Sequence, residues 1–169
     1  KAKYDLDGKH QVELAKQKSL EELENEVNRL KDEIDNNPNL SKEDKEKLKS
    51  KLERLLENAK GQINNATTLT DLNKIKDNTQ KEIDKLKALI DAKTLAKQEI
   101  IDFANKKHQE ILNNSNLTDA QKQKVVAEID KTLQKVLENI DNANDINEIN
   151  RKLKEGKDNI AKIVAKEIT

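Results

Sequence analysis

Apolar residues recur at alternating intervals of three and four along most of the chain. Leu20, Leu23, Val27, Leu30 and Ile34 form one such stripe, the spacing of a helix with a single buried face. The stripe closes on Asp35-Asn36-Asn37-Pro38, and Pro38 disfavours helical geometry at Asn37, so the helix should stop there. Ser41 then suits an N-cap, with Glu43 and Asp44 at the positive end of the next helix. That second helix carries Leu48, Leu52, Leu55, Leu56, Ala59 and Ile63, and should end near Asn64-Asn65-Ala66-Thr67. Thr68 followed by Asp71 resembles a capping box and predicts a third helix with Leu69, Leu72, Ile75, Ile83, Leu86 and Ile90.

The pattern then repeats. "NNPNLSKEDKEKL" from Asn36 returns as "NNSNLTDAQKQKV" from Asn113, a shift of 77 residues. At that shift Ile34 meets Ile111, Leu40 meets Leu117, Ser41 meets Thr118, Leu48 meets Val125, Leu52 meets Ile129, Leu56 meets Leu133 and Ile63 meets Ile140. Asn65-Ala66 meets Asn142-Ala143, Thr68 meets Asp145, Asp71 meets Glu148, Ile83 meets Ile160 and Leu86 meets Ile163, without a gap. A duplicated unit keeps its apolar positions and caps in this way.

Three amphipathic helices with short connections make an up-down-up bundle. Between Leu69 and about Leu112 there is no Pro, no Gly and no turn cluster. The third helix of the first unit should therefore run into the first helix of the second, a continuous helix of roughly 65 Å at ~1.5 Å per residue. The fold expected is all-α: two tandem three-helix bundles sharing one long helix, a spectrin-like elongated rod. The boundaries expected are an N-terminal flank at 1–10, a first repeat at 11–88 and a second at 89–169.

Composition narrows the function. Of 169 residues, 33 are Lys or Arg and 33 are Asp or Glu, so the formal net charge is zero. That argues against nucleic acid, which needs a basic surplus, and against electrostatic attachment to an acidic membrane. No apolar run approaches the ~20 residues of a membrane span, so no direct membrane insertion is expected. The absence of Cys excludes a disulfide, a thiolate zinc site and a cysteine nucleophile. The chain begins at Lys1 and lacks Met, so it reads as an excised fragment. Glu43/Lys47, Asp77/Lys81, Asp102/Lys106 and Asp158/Lys162 are acid-before-base pairs at i,i+4 that keep helix faces soluble.

Candidate chemistry is sparse. Asp35, Asn37, Asn39, Glu43 and Glu46 fall on calcium-loop positions, but Leu40 replaces the glycine that loop needs, and the second copy has Leu112 and Gln123 at its two key acidic positions. A capped turn is the expected reading. His10 and His108 lie far apart, which disfavours a shared metal site or a catalytic pair, and His108 is expected to be solvated. Phe103, among Ile100, Ile101 and Ala104, is expected in the core. Tyr4, with Gly8, is expected in a poorly ordered flank or a preceding module. Gly156 lies on the apolar stripe between Leu153 and Ile160; a helical glycine costs about 1 kcal/mol relative to Ala, and a close helix crossing would justify it. Gly61 is expected to face outward. No phosphate loop, activated serine or paired catalytic carboxylates appear. No catalytic, cofactor-binding or metal residues and no cofactor are expected, and the chain reads as a non-enzyme.

"IDNNPNLSKEDKEKLKSKL" from Ile34 and "AKGQINNATTLTDL" from Ala59 resemble the domain-of-unknown-function 1542 repeat of Gram-positive, staphylococcal-type cell-wall-anchored surface proteins. Pro38, Asn39, Leu40 and Ser41 match its first turn, and Ala66-Thr67-Thr68 its second. The second copy keeps Asn116-Leu117-Thr118, places Ser115 for the Pro and Asn144-Asp145 for the Thr-Thr, and matches the central glycine at Gly156, where the first copy has Thr79. The resemblance covers nearly all the chain after the first ten or so residues. It implies an extracellular, wall-attached location and a stalk or adhesion role in cell aggregation, biofilm formation and virulence. The partners it implies are neighbouring repeats of the same chain, a host matrix or plasma protein, and homophilic cell–cell contact. Two readings follow, a structural stalk and a module that itself engages a host protein; a third, from outside the family, is an intracellular spectrin-like spacer. A binder should expose aromatic anchors. One Tyr, one Phe and no Trp favour the stalk.

Overall fold

The computed structural model describes the backbone of residues 2–168 and the side chains of residues 8–167. Five helices follow in order: α1 Ala2–Asp35, α2 Lys42–Asn65, α3 Leu69–Leu112, α4 Asp119–Asp141 and α5 Ile146–Ile168, with no strand among the described residues. α3 is a single helix of 44 residues, as the lack of a breaker predicts. The chain divides into two compact units, one ending at Lys87 and the other starting at Ala88, so α3 contributes to both. α1 begins at Ala2, well ahead of the apolar stripe, and includes the backbone of Tyr4 and Gly8; the side chain of Tyr4 lies outside those described.

Each unit buries one layered core. Unit 1 encloses Val27, Ile34, Leu48, Leu52, Ile63 and Ile83, and unit 2 encloses Ile100, Ile111, Ile129, Ile140, Ile149 and Ile160. Burying one such side chain is worth about 1.5–3 kcal/mol, which is what turns the three-four periodicity into bundles. The stripe departs from its sequence reading at its edges. Ser19, not Leu20, is the buried residue at the top of the α1 stripe. Leu69 and its counterpart Ile146, the first residues of α3 and α5, are 45% and 41% exposed. A side chain in the first turn has no preceding turn to lie on, and it stays in solvent.

α1 packs against α2 in unit 1, and α4 packs against α5 in unit 2. Gly156 sits in that α4–α5 crossing, where a Cβ would lie 2.6 Å from Val136 Cγ2. The crossing expected from a glycine on the stripe is therefore present. Gly61 is exposed with nothing within 4 Å, as expected.

Candidate functional site

The first turn is built twice with the same bonds. In unit 1 the Asn37 N–H donates to the Ile34 carbonyl (3.2 Å), Asn39 N–H to Asn37 Oδ1 (2.9 Å) and Leu40 N–H to the Asn37 carbonyl (3.4 Å). In unit 2 Asn114, Asn116 and Leu117 make the equivalent bonds at 3.1, 2.9 and 3.3 Å. The asparagine side chain folds the turn on itself, so the geometry survives although Ser115 replaces Pro38. Ser41 then caps α2, its hydroxyl accepting from Asp44 N–H at 3.1 Å. Thr118 caps α4 in a full capping box with Gln121.

Lysines occupy the place where a calcium loop would hold its ion. Lys49 Nζ lies 2.8 Å from Asp35 Oδ1, and Lys45 Nζ donates to the Asp35 carbonyl at 2.9 Å. The Asp35 and Glu46 carboxylates raise the Lys49 ammonium above its usual 10.5. Among the described residues no group of three or more His, Asp or Glu is placed to hold a metal ion.

The second turn carries the feature that sequence reasoning missed. Thr68 Oγ1 accepts from Asp71 N–H (3.0 Å) and Asp145 Oδ1 from Glu148 N–H (2.8 Å), so the expected caps form. The helices that end at this turn, α2 and α4, have no basic residue in their last turn. The charge comes from the neighbouring helix instead. Lys16 Nζ donates to the Asn64 carbonyl at 3.0 Å, and Lys93 Nζ donates to the Asp141 carbonyl at 2.7 Å. Each ammonium satisfies a free carbonyl at the negative end of a helix. In unit 2 the side chain of Asp141 also pairs with Lys97, and Lys93 and Lys97 are both buried. The signal was available: Lys16 and Lys93 stand one repeat length apart.

Other marked residues also turn inward. His108 is not solvated as expected; it is half-buried, with Nε2 2.8 Å from Asp130 Oδ1. The same positions in unit 1 hold the ion pair Lys31–Glu53. Phe103 is half-buried rather than in the core. Lys107 and Lys157 stand 5.4 and 5.8 Å from its ring centre, and Lys157 also meets Glu99 at 2.8 Å. At the position of Phe103, unit 1 has Glu26, which accepts from Gln80 (3.1 Å) and pairs with Lys87 (3.4 Å). Ion pairs such as Lys49–Asp35 and Lys157–Glu99 tie one helix to another, and those along a helix, such as Lys49–Glu46 and Lys107–Glu110, are spaced i,i+3 rather than the expected i,i+4. No helix among the described residues is long and apolar enough to cross a membrane.

The repeated sequence has known relatives. A family described as "Domain of Unknown Function (DUF1542)" matches residues 15–91 and 92–168, two copies offset by the same repeat length. The "Extracellular matrix-binding protein EbhA" of Staphylococcus aureus (strain Mu3) is 36% identical over 146 residues, 86% of this chain and 2% of that protein. The "Extracellular matrix-binding protein ebh" of strain MW2 gives the same identity and coverage. In strain USA300 the corresponding protein is again 36% identical over 146 residues, which there make up 1% of its length. The chain therefore spans only a very small part of these relatives. No solved structure matches it.

Proposed function

This chain belongs to the DUF1542 family, two repeats of it in tandem, and from that premise we propose that it is a structural spacer in a bacterial surface adhesin. In this reading the repeats form part of an extracellular stalk anchored to the cell wall. They hold an adhesive region away from the cell and support adhesion, aggregation or biofilm formation. No enzymatic role belongs to it.

One observation carries the reading. The two copies keep their turn bonds, caps and apolar spacing but change the chemistry of their contacts between helices. Lys31–Glu53 becomes His108–Asp130, and Glu26 with Gln80 becomes Phe103 with Lys157. A spacer needs the fold alone, whereas a binding face needs particular anchors held in place. Lys16, Lys93, Lys97 and His108 are each engaged within their own unit.

A second reading is supported by the relatives' name, which describes matrix-binding proteins: the repeats themselves engage a host matrix or plasma protein. Immobilising the 169-residue chain and passing fibronectin, fibrinogen, albumin and immunoglobulin over it separates the two. The spacer reading expects no saturable retention at micromolar concentration. Saturable binding that a point substitution on one helix face abolishes would replace it with the second reading.

A further inference from the structure

Val136 on α4 and Gly156 on α5 fill one layer of unit 2, and there is no room there for another atom. A Cβ at residue 156 would stand 2.6 and 2.7 Å from the two methyl carbons of Val136, well inside the ~3.5–4.0 Å at which carbons attract. The positions one repeat earlier hold Ala59 and Thr79, and both are buried. The exchange is reciprocal: where the second helix gains two methyl groups, the third helix loses its whole side chain. α4 and α5 pack directly on one another in unit 2, with Val136 against Gly156.

We propose that this layer is a pairing key, which seats each unit's third helix on that unit's own second helix. The unit 2 pair is Val136 with Gly156, and by the repeat shift its unit 1 counterpart is Ala59 with Thr79. Both crossed pairs are bad. A valine facing a threonine overfills the layer, since even a Cβ is too close to Val136, and overpacking forces strained rotamers. An alanine facing a glycine leaves a void. The need for a key follows from the repeat itself. Homologous helices with the same apolar spacing invite exchange between units and between copies of the chain, a hazard of repeat proteins. The caps and core layers are nearly the same in both units and cannot discriminate; this layer can. The proposal does not depend on the spacer reading.

Two measurements on the full chain test it. In urea unfolding, Gly156→Thr should lose stability and Val136→Ala should restore much of it. The coupling should reach roughly tenfold in the unfolding equilibrium constant, within the range for residues in contact. Should G156T not fold, Ala59→Val in unit 1 supplies the crossed pair on the other side, and Thr79→Ala should relieve it. The V136A/G156T variant carries the same key in both units. After refolding at high protein concentration, it should yield a larger fraction of helix-swapped dimer than the wild type, read by light scattering behind size exclusion. Additive effects in the cycles would overturn the proposal. So would a dimer fraction equal to that of the wild type, because the layer would then pack without selecting.

Discussion

Lys93 reaches from α3 to the end of α4, its Nζ 2.7 Å from the main-chain oxygen of Asp141, and Lys16 makes the same reach from α1 to Asn64 at 3.0 Å. One ammonium therefore closes the same helix end in both units, from a neighbouring helix. Lys93→Met should destabilise unit 2 by about 1.5–3 kcal/mol, the usual range for a hydrogen bond to a charged group. Lys16→Met should cost less, because its bond is exposed. Urea unfolding followed by circular dichroism measures both, and faster amide exchange in the last turn of α4 should accompany the first.

The buried pair Lys97–Asp141 has a natural replacement in the same chain. Its counterparts in unit 1 are Leu20 and Asn64. Asp141→Asn alone removes the carboxylate that pairs with the buried Lys97 ammonium and should destabilise unit 2. Lys97→Leu combined with Asp141→Asn should recover most of that and end near the wild-type stability, since apolar packing often matches a buried ion pair. Thermal unfolding of the two variants decides the point: a double variant as unstable as the single one contradicts it.

The first turn folds with the same three hydrogen bonds whether residue 38 is Pro or its counterpart is Ser115. Ser115→Pro should therefore fit, and should stabilise unit 2 by about 0.4–1 kcal/mol by restricting the unfolded chain. Pro38→Ser should lose a similar amount in unit 1. A fall in melting temperature for S115P would show that the two turns differ in backbone angles.

Lys49 titrates above its usual 10.5 because Asp35, and then Glu46, hold its ammonium. A raised folded value means that the pairing contributes fully below the unfolded value and fades as pH rises through the folded one. Lys49→Met should thus be less stable than the wild type at neutral pH, with the difference shrinking above pH 10.5. Denaturation midpoints of both proteins across that window, at low salt, give the check. A difference that grows with pH would reverse the assignment.

The sequence by itself determined what is local. Ser41, Thr118, Thr68 and Asp145 cap helices because an N-cap oxygen needs only the N–H three residues on. The unbroken run from Leu69 to Leu112 is one helix because nothing in it removes a hydrogen bond. The repeat was legible because duplicated cores keep apolar spacing, and the family resemblance because the turn residues Pro38-Asn39-Leu40-Ser41 and Ala66-Thr67-Thr68 match its motif. Only the tertiary structure decided which side chains meet across helices. Lys16 and Asn64 are 48 residues apart, as are Lys93 and Asp141. His108 reads as a solvated residue until α4 brings Asp130 to it, and Phe103 as core until the packing leaves its ring beneath two lysines. Gly156 hinted at a close crossing, but that Val136 fills it, and that α4 rather than another helix approaches, depends on how the helices rotate and settle. Periodicity fixes which face of a helix is buried; the sizes of the few side chains on that face fix what it is buried against.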